Sequence, residues 1–89
     1  MEERYSIRVT ARAERDIQRL PEKIATACVE FIFGPLSDNP QRVGKPLRGE
    51  LGGLRSARRG DYRVIYGVVE DARTVEIVYI DRRSDVYRR

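Results

Sequence analysis

The sequence LRSARRGDYRVIYGVV, residues 54–69, is predicted to form two β-strands joined by a tight turn at Gly60-Asp61. A two-residue loop with glycine first is typical of a type II′ hairpin. This turn pairs Arg58 with Arg63, and because side chains alternate along a strand, both arginines lie on one face of the sheet. The second strand turns its apolar and aromatic side chains to the other face, the predicted core side: Tyr62, Val64, Tyr66 and Val68.

The pairing of Arg58 with Arg63 needs an explanation, because two like charges directly opposite each other destabilise a hairpin. An anion can sit between the two guanidinium groups, or both groups can fan out into water. The pair alone leaves both explanations open.

Composition narrows the kinds of site the protein can carry. The chain has 89 residues and is predicted to fold as one domain, residues 1–89. It has no histidine, the commonest general base and a frequent metal ligand. No glycine-rich nucleotide motif, P-loop or set of paired cysteine and histidine ligands occurs, so no cofactor and no metal is expected. The one cysteine, Cys28, lies in an apolar helical pattern and is predicted to be a small buried hydrophobe.

The distribution of apolar and charged residues bears on location and partners. No apolar run approaches the roughly 18 residues of a membrane span, and no signal-peptide pattern begins the chain, so a cytoplasmic protein without membrane contact is expected. Residues 1–39 carry a net charge of −1 and residues 40–89 a net charge of +5. Arginine, which suits bidentate contact with phosphate, supplies almost all of the positive charge. A basic half indicates a polyanionic partner, the alternative being an ordinary solvated surface.

The N-terminal part is predicted to form a strand followed by two helices. Residues 5–9 alternate apolar and polar side chains, as in a half-buried strand. Thr10 is placed to cap a helix over residues 11–20, and Pro21 is placed to begin a second helix. An apolar stripe on the second helix is predicted to face the core, and Gly34-Pro35 is predicted to end that helix.

Glycines and prolines make residues 37–53 a predicted loop with at most one short turn. This loop brings basic side chains to the start of the hairpin, as phosphate contacts or as solvated charges: Arg42, Lys45 and Arg48. After the hairpin, a turn at residues 70–73 leads into a strand over residues 74–80, with Val75, Ile77 and Tyr79 on one face.

The element order strand, helix, helix, strand, strand, strand predicts an α+β fold. We expect a twisted sheet, antiparallel or mixed at one edge, with both helices packed on one face. The opposite face is expected to be open and to carry Arg58 and Arg63, with Arg82 as a candidate to join them.

The segment GKPLRGELGGLRSARRGDYRVIYGV, followed by DRRSDVY, resembles the RelE toxins of the RelE/ParE superfamily. The resemblance covers nearly the whole chain, and its most specific part is RGDYRVIY followed by a basic RR…Y tail. It implies a toxin of a bacterial toxin–antitoxin pair that enters the ribosomal A site and cleaves the bound messenger RNA. It also implies a RelB-like antitoxin that wraps the toxin in an inactive toxin–antitoxin hetero-oligomer.

The resemblance assigns a catalytic set to this chain. Arg63, in the GDYR motif, matches the arginine that RelE enzymes use at the scissile phosphate. Arg82 is the best match to a second active-site arginine, Tyr87 matches the C-terminal tyrosine, and Arg58 matches a basic position before the turn. Four further cations are assigned to RNA binding: Arg55, Arg83, Lys45 and Arg48.

The chain also departs from the family pattern. Well-studied members have lysines where this chain has Leu54 and Ser56, and many relatives have a basic residue or histidine in place of Asp81. RNA supplies its own nucleophile, the 2′-hydroxyl, so arginines can stabilise the phosphate charge while another group accepts the proton. Arginine is a poor base because it stays protonated. The general base is therefore open between Tyr87 and three carboxylates, those of Asp81, Asp85 and Glu76. The scheme requires no metal.

Two other functions are compatible with the same resemblance. ParE members share the fold but poison DNA gyrase without cutting RNA, and the missing strand lysines favour this alternative. A degenerate toxin would only bind its antitoxin and help to repress its operon. The set Arg63, Arg82 and Tyr87 favours the nuclease.

Overall fold

The computed structural model describes residues 4–82, which form a five-stranded sheet with helices on one face. The strands are β1 (Ser6–Val9), β2 (Lys45–Pro46), β3 (Arg55–Arg59), β4 (Tyr62–Val69) and β5 (Thr74–Arg82). The helices are α1 (Ala11–Gln18), α2 (Glu22–Phe31) and the short α3 (Pro40–Val43). The strand order is β1-β5-β4-β3-β2, with β1 parallel to β5 and the other pairs antiparallel. The predicted α+β fold with a mixed edge is confirmed.

The central hairpin has the predicted turn and register. Gly60 has a φ of +56° and Asp61 does not have a positive φ, as a type II′ turn requires. Arg58 pairs with Arg63 across β3 and β4. The four side chains predicted to face the core do so, three of them buried and the last partly buried: Tyr62, Val64, Tyr66 and Val68.

The core lies between this inner face of the sheet and the helices. It joins side chains of α1 and α2 to those of β4 and β5: Ala13, Cys28, Phe31, Val64, Tyr66, Val75 and Ile77. Cys28 is fully buried, as predicted. Thr10 caps α1, since its Oγ1 accepts a hydrogen bond from the Ala13 backbone N–H at 3.0 Å. Asp16 continues the hydrogen bonding of β5 beyond the end of β1, because its carboxylate accepts from the Ile80 backbone N–H at 3.0 Å.

The predicted helix stop at Gly34-Pro35 is wrong. The helix continues past α2 as a π-helical turn, Ile32–Leu36, which contains Pro35. Proline cannot donate the backbone hydrogen bond of a regular helix and clashes with the preceding turn, and a locally widened turn accommodates it. Helical hydrogen bonding resumes at once, because Asn39 N donates to the Pro35 carbonyl at 3.1 Å. The continuation carries Leu36 into the core, where it is fully buried.

The region predicted as a loop, residues 37–53, is more ordered than expected. It contains α3, the short strand β2 and a 3-10 turn, Gly49–Leu51. The strand β2 pairs with β3 and adds a fifth strand to the four that were predicted. At the other end of the helical region, α1 closes at Gln18, two residues earlier than predicted.

The last strand differs most from its prediction, because it runs on to Arg82 and contains a β-bulge. Ile65 of β4 pairs with Tyr79, while the next residue, Tyr66, pairs with Ile77, so Val78 has no partner on β4. The skipped residue reverses the alternation beyond it. Tyr79 therefore lies on the face opposite Val75 and Ile77, and the prediction that these three share a face is wrong.

Candidate anion-binding site

Three charged residues form a row across one end of the sheet, on the face away from the helices, here called the outer face. Arg58 on β3 pairs with Arg63 on β4, and Arg63 pairs in turn with Asp81 on β5. Arg63 Nη2 donates to Asp81 Oδ2 at 2.6 Å, and these side chains are 29% and 32% exposed. The like-charge pair that the sequence predicts is thus partly compensated from the other side of Arg63.

A cleft of about 540 Å³ opens on the side of Arg63 that faces Arg58. Lys45 pairs with Ser56 and so reaches the same cleft from β2. Its lining includes three cations and no carboxylate of the described residues: Lys45, Arg58 and Arg63. Converging cations on a concave surface attract anions, and guanidinium groups can bind a phosphate in bidentate geometry. The cleft is therefore a candidate site for a phosphate group.

The wall of the cleft formed by residues 43–47 is anchored from beneath, in part through the preceding helix α3. Tyr66, in the core, donates its hydroxyl hydrogen bond to the Pro40 carbonyl at 2.5 Å. Burial raises the pKa of Tyr66, so the hydroxyl remains a donor at neutral pH. A Cβ at Gly44 would stand 2.2 Å from the Tyr66 hydroxyl oxygen, so the wall can approach this closely only with glycine there.

Arg55, predicted to bind RNA, belongs to this anchor and not to the cleft. It pairs with Tyr66 and therefore points to the inner side of the sheet. Its Nη2 donates to the Gln41 carbonyl at 2.8 Å and to the Gly44 carbonyl at 3.2 Å. The structure therefore places Arg55 on the opposite side of the sheet from the cleft cations, and its contact with RNA stays a prediction.

Arg82 also lies away from the cleft, contrary to prediction. It pairs with the buried Tyr62 and faces a small cavity of about 210 Å³ beside α1, lined in part by Asp16 and Arg19. Its Nη2 is 3.9 Å from Asp61 Oδ2. The bulge at Val78 is the reason, because it exchanges the faces of the residues beyond it and brings Asp81 to Arg63.

The remaining predicted residues fall into two groups. Arg48 is exposed, does not line the cleft, and makes no side-chain hydrogen bond or ion pair within residues 4–82. Glu76 lies opposite Gly67, five residues before Asp81 on β5, which is roughly 16 Å along a strand and too far to act on a phosphate at Arg63. Three residues lie outside the described part of the chain: Arg83, Asp85 and Tyr87.

Sequence reasoning missed three features of this site. The partner of Arg63 and the anchors of the cleft wall were not recognised: Asp81, Tyr66 and Gly44. The outer face is also less open than expected, because Ile65 lies on it and is only 1% exposed.

Residues 4–82 bring no three potential ligands of the His, Cys, Asp and Glu types together in a metal-binding group. No helix in that range is long and apolar enough to cross a membrane.

A sheet with helices on its inner face and a basic cleft on its outer face defines a small α+β protein with a candidate phosphate site. Residues 7–87 match the family described as the ParE toxin of type II toxin–antitoxin systems, parDE. The chain is 63% identical to Toxin RelE of Mycobacterium tuberculosis, over 94% of this chain and 87% of that protein. It belongs to this family of type II toxins, and the predicted resemblance to RelE-type toxins is confirmed.

Solved structures agree with this assignment. The toxin–antitoxin complex RelBE2 from Mycobacterium tuberculosis contains a chain that is 51% identical, with a TM-score of 0.89, covering 92% of this chain and 94% of that one. The archaeal RelE–RelB complex from Pyrococcus horikoshii gives 26% identity and a TM-score of 0.72, covering 91% and 97%.

Proposed function

We propose that this protein is a ribosome-dependent endoribonuclease that stops translation by cutting messenger RNA. One observation carries the proposal: Lys45, Arg58 and Arg63 line one cleft, in a chain that is 63% identical to a Toxin RelE. The cations lie on two sides of the cleft, on β2 and on the hairpin, so a phosphate entering it meets positive charge from both.

The proposed reaction uses the 2′-hydroxyl of the RNA as nucleophile. It attacks the adjacent phosphate and loses its proton, and the bond from phosphorus to the 5′-oxygen of the next nucleotide breaks. The 5′-oxygen takes up a proton and leaves as a hydroxyl, and a 2′,3′-cyclic phosphate remains on the other fragment. Arg63 and Arg58 stabilise the negative charge that grows on the phosphate oxygens, a contribution typically worth about 100- to 1,000-fold in rate for each preorganised donor. Arg82 faces the other side of the sheet, so in this scheme it does not touch the phosphate.

Proton transfer needs a group outside this pair of arginines. The Asp81 carboxylate is engaged by Arg63 at 2.6 Å, so it is not free to accept the proton of the 2′-hydroxyl. Tyr87 is the preferred candidate to accept the 2′-hydroxyl proton, with Asp85 as the alternative, and Arg83 is kept as an RNA contact. The scheme requires no metal and no cofactor.

We further propose a RelB-like antitoxin as the partner that holds the toxin inactive. The RelBE2 and RelE–RelB structures are complexes of this kind for the related chains. Because an antitoxin and the ribosome are its proposed partners, we expect the protein in the cytoplasm. The active form would be the toxin released from a hetero-oligomer with the antitoxin.

A second function is favoured by one observation, the family description, which names the ParE toxin. A ParE-like protein would act on DNA gyrase and would leave RNA intact.

The discriminating experiment adds purified toxin to a cell-free translation reaction with a defined message and maps the new 3′ ends. Cuts that lie in the ribosomal A site and vanish without ribosomes support the nuclease. Intact message together with gyrase-dependent DNA breaks would establish the ParE-like function. Intact message and intact DNA would leave a degenerate toxin that only binds its antitoxin.

A further inference from the structure

We infer that Asp81 sets the affinity of the cleft for RNA, because it holds Arg63 in the free protein and competes with the substrate phosphate for the same guanidinium. The inference rests on the proposed function, in which a phosphate of the message enters the cleft beside Arg58 and Arg63. It assigns a role in substrate discrimination to a residue that does not line the cleft.

The geometry gives Arg63 two alternative partners. In the row across β3, β4 and β5, Arg63 stands between Arg58 and Asp81. The cleft opens on the Arg58 side, and Asp81 is not part of its lining. In the free protein, Nη2 of Arg63 is turned toward Asp81 at 2.6 Å, the distance of a short charge-assisted hydrogen bond. A phosphate bridging Arg58 and Arg63 must bind a guanidinium that Asp81 already orients through one of its terminal nitrogens.

Asp81 also lowers the charge that the cleft presents. Three cations line it, and a carboxylate in contact with one of them, Arg63, offsets part of their field. The contact is not needed to hold β5 in place, since β4 and β5 pair over their whole length. Because both side chains are about 30% exposed, the ion pair can open without leaving a buried charge.

The consequence is a threshold in the number of contacts that an RNA must make before it binds the cleft tightly. An RNA that offers only phosphates has to compete with Asp81 for the Arg63 guanidinium and binds weakly. A message held in place by further contacts, as on the ribosome, can bear that cost. Asp81 would thereby suppress binding to stray RNA in the cell, which a cleft of three free cations would otherwise attract.

The test compares Asp81→Asn with Glu76→Gln as a matched control. Both substitutions remove one negative charge from the outer side of β5, but Glu76 pairs with Gly67 and Arg8 and not with Arg63. The probe is a fluorescent single-stranded RNA with 2′-O-methyl groups, which cannot be cut, and affinity is measured by anisotropy at several salt concentrations. Thermal melting of each variant shows that it is folded, and Asp81→Ala provides a second test of the same contact.

We expect Asp81→Asn to bind the RNA about three- to fivefold more tightly than the parent, the upper part of the range for release of a partly exposed ion pair. We expect Glu76→Gln to change affinity by less than about twofold, since a screened charge at that distance acts weakly. In the Arg63→Ala background, Asp81→Asn should give no more than the small gain expected of Glu76→Gln, because the competition needs both residues.

Three results would overturn the inference alone: unchanged or weaker binding by folded Asp81→Asn, an equal gain with Glu76→Gln, or a gain that persists undiminished without Arg63. These results are distinguishable from failure of the proposed function. In that case Arg63→Ala and Arg58→Ala would each bind the RNA as tightly as the parent, which would show that the cleft is not an RNA site at all and would overturn the inference with it.

Discussion

Val78 decides which side chain of the last strand meets Arg63. Strict alternation along β5 would put Arg82 on the outer face and Asp81 on the inner face, and skipping Val78 exchanges them. The segment TVEIVYIDR consists largely of strand formers and has no glycine to mark a bulge. The partner of the bulged residue lies far away in the chain, since Thr10 Oγ1 donates to the Val78 carbonyl at 2.7 Å. No local pattern could have predicted it.

Thr10 is therefore expected to contribute more than a helix cap. Thr10→Val keeps the size of the side chain but removes both the acceptor for Ala13 N and the donor to Val78. We expect the free energy of unfolding to fall by about 1–2 kcal/mol, the usual cost of losing an N-cap. Urea denaturation measures this, with Thr10→Ser as the control that retains the hydroxyl. Equal stability of Thr10→Val and the parent would contradict the assigned contacts.

Cys28 gives a prediction that depends on pH. Burial raises the pKa of its thiol to about 11, with the Tyr62 hydroxyl acting in the opposite direction. At pH 8 such a thiol is ionised to only about one part in a thousand, and the thiolate is the form that reacts. We expect iodoacetamide to modify native protein at least about 100-fold more slowly than protein in denaturant, with a native rate that rises up to pH 11. Equal rates in both states would show that Cys28 is accessible.

At the scale of elements, prediction succeeds where a short-range signal sets the structure. The Gly60-Asp61 turn fixes the register of β3 and β4, and the apolar stripe of α2 fixes its buried side. Prediction fails for the wall of the cleft, because Gly44 is required by the distant Tyr66 and not by its own backbone angles. The position of Arg55 could not be predicted for the same reason, since its partners are the carbonyls of Gln41 and Gly44, which lie more than ten residues away in the chain.

The wall of the cleft distinguishes two basic side chains, Lys45 and Arg48, for which the sequence predicts the same role. Lys45 lines the cleft, whereas Arg48 is exposed outside it. Each phosphate contact to single-stranded RNA adds about 0.7 to the slope of log affinity against log salt. We expect Lys45→Ala to reduce that slope by roughly this amount and Arg48→Ala to leave it unchanged. Titrations of each variant with RNA at four salt concentrations measure both slopes. Equal slopes for the two variants would show that the wall is not part of the RNA-binding site.

At the scale of the whole molecule, the sheet divides the protein into a core side and a basic side. The proposed antitoxin should cover the basic side or displace the tail beyond Asp81, because exposed cations around a cleft otherwise bind RNA without selectivity. Its toxin-binding segment should be acidic or amphipathic. We expect Arg58 and Arg63 to be protected from phenylglyoxal in the complex and modified in the free toxin. A complex that leaves both arginines reactive and the tail undisturbed would contradict this prediction.

Cutting of message by the Arg63 variants tests the central claim most directly. Arg63→Ala leaves no core cavity, and the Asp81 carboxylate that it leaves unpaired is 32% exposed and can be hydrated, so only a small loss of stability is expected. The rate of A-site cleavage in the cell-free reaction should fall about 100- to 1,000-fold, and Arg63→Lys should restore it only in part, because a point charge lacks the bidentate fork. Arg48→Ala should cut at the parental rate. An Arg63→Ala protein that melts normally and cuts message as fast as the parent would contradict the account.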